Sequence, residues 1–258
     1  MRIATWNLER PRLTSTRRIP GQLAQIARID ADVWVLTETS DAIDLRDSHP
    51  HSVASVALDR AGATRENWVT IWSRYPLTRI ALQTGAITVC AAVDTPDRPT
   101  IVYGTVLPYT GDPGPDGTSR GWAEFLRVVP LHAAEWTRLR AAHPDHRFCV
   151  AGDFNQSRDR RRWDGREWCS TRATRTALDE GLAAAGLVSA TDADFVERGM
   201  LTTRSNIDHV ALDEASSAGV PGVGAWEAGQ GDGQRLSDHN GVWVDIAVSV
   251  AEDAHTPA

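Results

Sequence analysis

The chain has 258 residues, 41% of them hydrophobic and 24% charged, a balance that suits an ordered soluble protein and argues against disorder. Its formal net charge of -7 excludes a general attraction to a nucleic-acid backbone or an anionic membrane, so any polyanion needs a local positive site, a metal ion, or both. No apolar run approaches the ~20 residues of a membrane helix. The N-terminus lacks the apolar stretch of a secretory signal, and Cys90, Cys149 and Cys169 have neither zinc nor disulfide-framework spacing, so the expected setting is reduced and cytoplasmic.

In chain order, residues 2–6 alternate as a strand that ends at Asn7, and residues 21–30 carry Leu23, Ala24, Ile26 and Ala27 at helical spacing. Residues 33–38 read as a buried strand ending in a carboxylate. Runs at 52–58, 68–73, 77–82, 86–93 and 99–107 are rich in Val, Ile and Trp, as a meander of antiparallel strands would be. PYTGDPGPDGT (108–118) is a loop by its Gly, Pro and Asp content, placed as a lid or specificity loop would be. The spacing of Trp122, Phe125, Leu126, Val129, Ala133, Trp136 and Leu139 predicts a helix to about residue 142, with Ser119 as a candidate cap. A buried strand follows at 148–154, then a helix at 171–185 closed by Gly186. Strands are predicted at 206–213 and 241–250, with a Gly- and Ala-rich exposed loop at 214–236 between them. Without a linker-like segment, the expectation is a single domain over 1–250 and a frayed tail at 251–258.

Metal- and phosphate-competent side chains recur where these strands end: Asn7, Glu38, Asp153 with Asn155, Asp208 with His209, and Asp238 with His239. One such residue alone is a turn former or helix cap. Several strand ends carrying the same chemistry point instead to a site assembled from distant segments.

WNLE (6–9), LTET (36–39), WSRYP (72–76), GDFN (152–155), IDHV (207–210) and SDHNG (237–241) occur together in this order. The set resembles the endonuclease/exonuclease/phosphatase family, over residues 2 to about 246. The resemblance implies an α/β fold, a four-layer α/β/β/α sandwich of two packed mixed β-sheets with outer helices. It also implies a Mg²⁺-dependent hydrolase of phosphoesters, with Mn²⁺ as an alternative ion.

Position by position, Glu38 resembles the family's metal-binding glutamate, Asn7 the amide that touches the metal shell or phosphate, and Asp238 a third member of that shell. Asp153 resembles the carboxylate that orients or deprotonates the attacking water, and Asn155 the amide beside it. His239 resembles the histidine that hydrogen-bonds the scissile phosphate, and Asp208 its carboxylate partner. His209 alternates to the opposite strand face and reads as packing; Ser237 and Asn240 read as turn formers. Many members of the family carry His or Tyr at the end of the strand read here as 101–108, where this chain has Thr105, Val106 and Leu107. Tyr103 or Tyr109 could stand in, or the metal's own water could help the leaving group.

After GDFN, residues 156–168 hold Arg158, Arg160, Arg161, Arg162 and Arg166 among Trp163 and Trp168. Forked guanidiniums beside aromatic faces suit phosphate, which makes Arg158, Arg161, Arg162 and Tyr109 candidate substrate contacts. The alternative is a solvated loop whose arginines pair with Asp159, Asp164 and Glu167. Every Lys/Arg position is arginine, which favours forked contacts but equally reflects a compositional bias. Trp68 and Trp72 read as sheet packing. The expected partner is a phosphate-ester substrate, possibly nucleic acid or a nucleotide, with no stable membrane association. The competing readings are a phosphomonoesterase of inositol-phosphate or lipid-phosphate type, or a catalytically silent binding protein on the same fold; the sequence leaves oligomeric state open.

Overall fold

The protein was analysed as a computed structural model that describes residues 1–58, 65–83, 85, 87–159, 162–163, 166–167, 169–202, 205–227, 229 and 235–247, without the side chains of 162–163 and 166–167. The first half runs β1 (Arg2–Asn7), α1 (Arg18–Ile29), β2 (Val33–Ser40), β3 (His51–Ala54), β4 (Ala57–Leu58), β5 (Glu66–Ser73), β6 (Leu77–Ile80), β7 (Thr88–Val93) and β8 (Thr100–Val106). The second half runs α2 (Ala123–Ala142), β9 (Arg147–Asp153), β10 (Arg162–Trp163), β11 (Arg166–Glu167), α3 (Arg172–Ala184), β12 (Leu187–Ser189), β13 (Asp208–Asp213), α4 (Glu214–Ala218), β14 (Gly222–Trp226) and β15 (Gly241–Asp245).

Among the described residues, one sheet has the order β14-β15-β1-β2-β5-β3, with β4 also on β5, and the other β12-β13-β9-β8-β7-β6. Each contains one parallel pairing, β1 with β2 and β8 with β9, so both sheets are mixed. Alternation along the strands gives each sheet two faces. Ile3, Val35, Ile71, Val102, Ala151 and Val210 fill the layer between the sheets. Trp6, Trp34 and Leu36 pack under α1 with Ile26, while Tyr103, Phe148 and Val150 pack under α2 and α3 with Phe125, Trp136 and Leu178. The result is the expected α/β/β/α sandwich. Among the described residues no helix is long and apolar enough to cross a membrane.

Several elements differ from expectation. The first helix begins at Arg18, earlier than residue 21, because Pro20 sits in its first turn, where a missing backbone N–H costs nothing. The run at 52–58 is two short strands on β5, interrupted where Ser55 uses both its backbone and its hydroxyl on Val69. The meander is split as well: β5 belongs to the first sheet and β6 to the second, so the chain changes sheet at residues 73–76. There Ser73 Oγ accepts the Tyr75 amide at 2.9 Å and the Arg74 amide reaches Asp32 O at 3.0 Å. Ser119 does not cap α2, whose N-cap is Trp122; its hydroxyl donates to Glu124 Oε2 at 3.4 Å. Residues 171–186 behave as read, with a Thr171–Thr174 capping box and Gly186 left-handed at φ 60°.

The segment 214–236 is not simply an exposed loop. It contains α4 and β14, and Trp226 is buried edge-on against Trp6 and Trp34, at 5.7 and 5.9 Å between ring centroids. Its glycines mislead because they make room for aromatic rings: a Cβ on Gly224 would lie 2.5 Å from Trp243, and one on Gly241 1.9 Å from Trp226. Residues 228 and 230–234, and the tail at 251–258, lie outside the described residues.

Gly152 has φ 141°, and a Cβ there would stand 1.9 Å from Thr105 O on the neighbouring strand β8. Neither the backbone nor the adjacent strand can yield cheaply. Gly152→Ala is therefore expected to lower unfolding stability by about 3 kcal/mol or more, measured as a shift of the urea midpoint.

Candidate active site

The inter-sheet layer is apolar through most of its depth and polar on its last rung. The same alternation that points Ile3, Val35, Ala151 and Val210 inward brings Asn7, Thr37, Asp153 and Asp208 to that face where β1, β2, β9 and β13 reach one end of the sandwich. Register explains the convergence, since Asn7 pairs with Thr37 across one sheet and Asp208 with Asp153 across the other. The sheets are joined at this rung by Asn7 Nδ2 donating to Asp153 Oδ2 at 3.0 Å. Asn7 Oδ1 meanwhile accepts the Glu9 amide at 2.9 Å.

Asp153 is buried and accepts the Asn155 amide at 2.8 Å and Asn155 Nδ2 at 3.1 Å. The Asn155 side chain also donates to Leu107 O at 2.8 Å. The turn 237–240 brings His239 alongside: Ser237 Oγ donates to Asn7 O at 2.6 Å and accepts the His239 amide at 3.0 Å, while Trp6 Nε1 donates to His239 O at 2.8 Å. His239 Nδ1 then lies 2.7 Å from Asp208 Oδ2 and 3.9 Å from Asp153 Oδ2. Ser237 is thus more than a turn former, because it fixes this loop to β1.

Burial alone would discharge the imidazole, but Asp153, Asp208 and the hydrogen bond to Asp208 outweigh it and raise the His239 pKa to about 10. At neutral pH it is an imidazolium. Burial raises the pKa of Asp153, with His239 pulling it back and Asp208 pushing it further up. Asp208 is raised for the same first reason, with His239 pulling it back.

Glu38 stands on β2 at φ 47°, a left-handed conformation unusual for a glutamate in a strand. Its Oε2 meets Arg10 Nη1 at 2.6 Å, and the Arg10 guanidinium lies 4.5 Å over the Trp68 ring. Burial raises the Glu38 pKa, Arg10 lowers it and Asp153 raises it again. Glu9, Arg10 and Asn155 share the positive φ, at 53°, 43° and 51°. Strained non-glycine residues gathered around one cleft are a mark of function rather than of efficient folding.

These groups line a cavity of about 500 Å³ that also contains Trp68, Val106, Tyr109, Asp112 and Asp238. The structure brings together Glu38, Asp153, Asn155, Asp238 and His239 on its wall, with Asn7 and Asp208 directly behind through hydrogen bonds. Tyr109 is on the rim and half exposed. Val106 occupies the wall at the strand end where many family members carry His or Tyr, and Tyr103 is buried against α2 with its hydroxyl 2.8 Å from His132 Nδ1.

Arg158 is elsewhere: its guanidinium binds Asp192 at 2.5 Å and Asp179 at 2.6 Å, so it serves an ion-pair network and is not on the cavity wall. The partners expected from its own loop are not the ones it uses. Arg160, Arg161, Asp164 and Trp168 lie outside the described residues, and Arg162 is described only as backbone in the β10–β11 hairpin. His209 is turned to the far face, with Nε2 2.8 Å from Gln156 O and Nδ1 3.0 Å from Thr191 Oγ1. Trp72 packs under α1 as expected. Trp68 instead forms cavity wall, as does Arg10, whose sequence signal is only its place three residues after Asn7.

A hard divalent cation fits this donor set. Several carboxylates share the cleft, and burial holds Glu38 and Asp153 partly toward protonation even beside Arg10 and His239. Asp153, Asp208 and His239 also offer ligand atoms within 4.8 Å of one another. That trio already holds a proton between His239 and Asp208, however, and a metal there would compete with an imidazolium. The Glu38 side of the cleft, where the carboxylate already draws a cation in the Arg10 guanidinium, is the better seat.

The profile of the Endonuclease/Exonuclease/phosphatase family matches residues 4–239. No curated protein matches the chain in sequence. Solved structures do match in shape. An AP endonuclease from Archaeoglobus fulgidus superposes with a TM-score of 0.68 at 15% identity, covering 96% of this chain and 100% of the other. A 3'-5' exonuclease from Neisseria meningitidis gives 0.64 at 18%, covering 95% and 99%. A Neisseria 3' phosphatase bound to a product DNA hairpin gives 0.62 at 17%, covering 96% and 99%. At such identities the likeness carries the fold and no particular substrate.

Proposed function

The chain belongs to the endonuclease/exonuclease/phosphatase family and is a metal-dependent phosphoesterase; within that frame we propose that it hydrolyses a phosphodiester at the Asp153–His239 cleft, with Mg²⁺ or Mn²⁺ as its ion. The observation that carries this reading is the His239 ring held 2.7 Å from Asp208 and 3.9 Å from Asp153 on the wall of one cavity. Glu38 would hold the ion, with Asn7 and Asp238 beside it, and when bound it would neutralise charge on the phosphoester oxygens.

The chain's own residues do the rest. His239 donates to a non-bridging oxygen, and Asp208 fixes the ring by its Nδ1 so that Nε2 faces the cleft. Asp153, its two oxygens aimed by Asn7 and Asn155, orients the attacking water and receives its proton. A raised carboxylate pKa suits that task, since a stronger base forms at neutral pH. Arg10 flanks the phosphate from the Trp68 side. Val106 offers no proton to the leaving oxygen, which favours substrates whose alcohol leaves without help from this wall. The neighbours named as an AP endonuclease and a 3'-5' exonuclease support the choice of a phosphodiester over a lipid phosphate.

The test is release of p-nitrophenol from bis-p-nitrophenyl phosphate with Mg²⁺ or Mn²⁺, set beside the monoester. Hydrolysis of the diester is expected to stop with EDTA and in Asp153→Asn, and to exceed that of the monoester. Full activity in the Asp153→Asn variant would remove the proposed base.

A further inference from the structure

Beside the cleft lies a second, larger cavity of about 710 Å³, walled by the loop 108–118 and α2. The two share Trp68, Ile87, Pro108 and Asp112, so one opens across a common wall from the other. The loop is held in place: Gly111 N donates to Gly121 O at 2.7 Å, Ser119 N to Pro113 O at 2.9 Å, and Gly114 N to Asp112 Oδ1 at 2.9 Å. A Cβ on Gly114 would stand 2.8 Å from Glu124 Oε2, so the loop sits directly on the helix.

The chemistry of this cavity differs from that of its neighbour. Val128, Leu131, Ala134 and Pro115 give it an apolar surface, and His132 is held at its edge by the Tyr103 hydroxyl. Its buried charges are acidic. Glu124 and Glu135 are buried and each is clasped by an arginine one turn on: Arg127, itself on the cavity wall with its charge engaged by Glu124, and Arg138, both roughly half exposed. Asp112 adds a further carboxylate. A second phosphate placed here would face acidic groups whose cations are already engaged. An uncharged ring would bury apolar area instead.

Resting on the phosphodiesterase reading above, we propose that this cavity is a subsite for one esterifying group of the substrate, an uncharged aromatic or branched apolar alcohol. The substrate on this side is therefore the end of a small diester, since a continuing nucleic-acid strand would bring its next phosphate against the Glu124 and Asp112 wall.

The test is competitive inhibition of bis-p-nitrophenyl phosphate hydrolysis by slowly reacting diesters: dimethyl phosphate, methyl phenyl phosphate and methyl 4-carboxyphenyl phosphate. The phenyl ester is expected to inhibit at least about tenfold more tightly than the dimethyl ester, and the carboxylate to cancel that gain. Ala134→Trp, at an exposed helical position that should leave the melting temperature intact, is expected to bring the phenyl-to-methyl ratio close to one. Equal inhibition by all three diesters, or a phenyl preference that survives Ala134→Trp, overturns the subsite while leaving the phosphodiesterase reading in place. Absence of metal-dependent hydrolysis overturns that reading and the subsite with it.

Discussion

His239→Gln is expected to lower kcat for diester hydrolysis by roughly 10²–10⁴-fold, with the smaller change in KM. Glutamine retains a donor of similar reach but no charge, so the loss reports the imidazolium rather than a hole in the wall. The pair also has a structural share. Asp208 is fully buried and its Oδ2 is held by His239 Nδ1 at 2.7 Å, so His239→Ala leaves an uncompensated carboxylate and should cost about 3–5 kcal/mol of stability. Because the folded pKa of His239 is raised to about 10 from 6.5, its contribution is complete below pH 6.5 and is lost as pH rises through about 10. Wild-type activity should therefore persist well above neutral and fall toward pH 10, and the Gln variant should lack that alkaline limb. A variant with an unchanged limb would show that another group titrates there.

Glu38→Gln is expected to weaken the activating metal by about 10–100-fold, read as the Mn²⁺ concentration for half-maximal hydrolysis. Glutamine fills the same volume, but it releases Arg10 from its 2.6 Å ion pair. The two consequences separate. Loss of metal affinity moves the Mn²⁺ midpoint and leaves the rate at saturating metal close to wild type. A liberated Arg10 would alter KM at every metal concentration. Thermal stabilisation by added Mn²⁺ gives an independent reading: the wild type should gain and the variant should gain less. Equal metal midpoints in the two proteins would move the cation away from Glu38.

Much of this site is legible in the sequence because its residues end strands whose patterns are local. Asn7 and Asp153 close, and Asp208 opens, apolar alternations that settle both their position and their face. Arg10 is not legible: two successive left-handed residues carry it back over Trp68, and no hydrophobic period encodes that reversal. Arg158 was drawn toward phosphate by its arginine-rich loop, yet its partner Asp192 is 34 residues away and local charge reading cannot see it. The strand β14 looked like a loop because glycine is the residue that lets Trp226 and Trp243 approach the sheet. In each case the missing information was a contact between distant segments.

The bond from Asn7 to Asp153 runs from one sheet to the other, across the gap filled by Ile3, Val35, Ala151 and Val210. It acts as a gauge of the spacing between the two halves of the sandwich. Trimming a methyl group from that filling, far from the cleft, is expected to let the halves settle closer and tilt the Asp153 carboxylate. Such variants would lose turnover at temperatures where their circular dichroism is still native, so heat would silence them before it melts them.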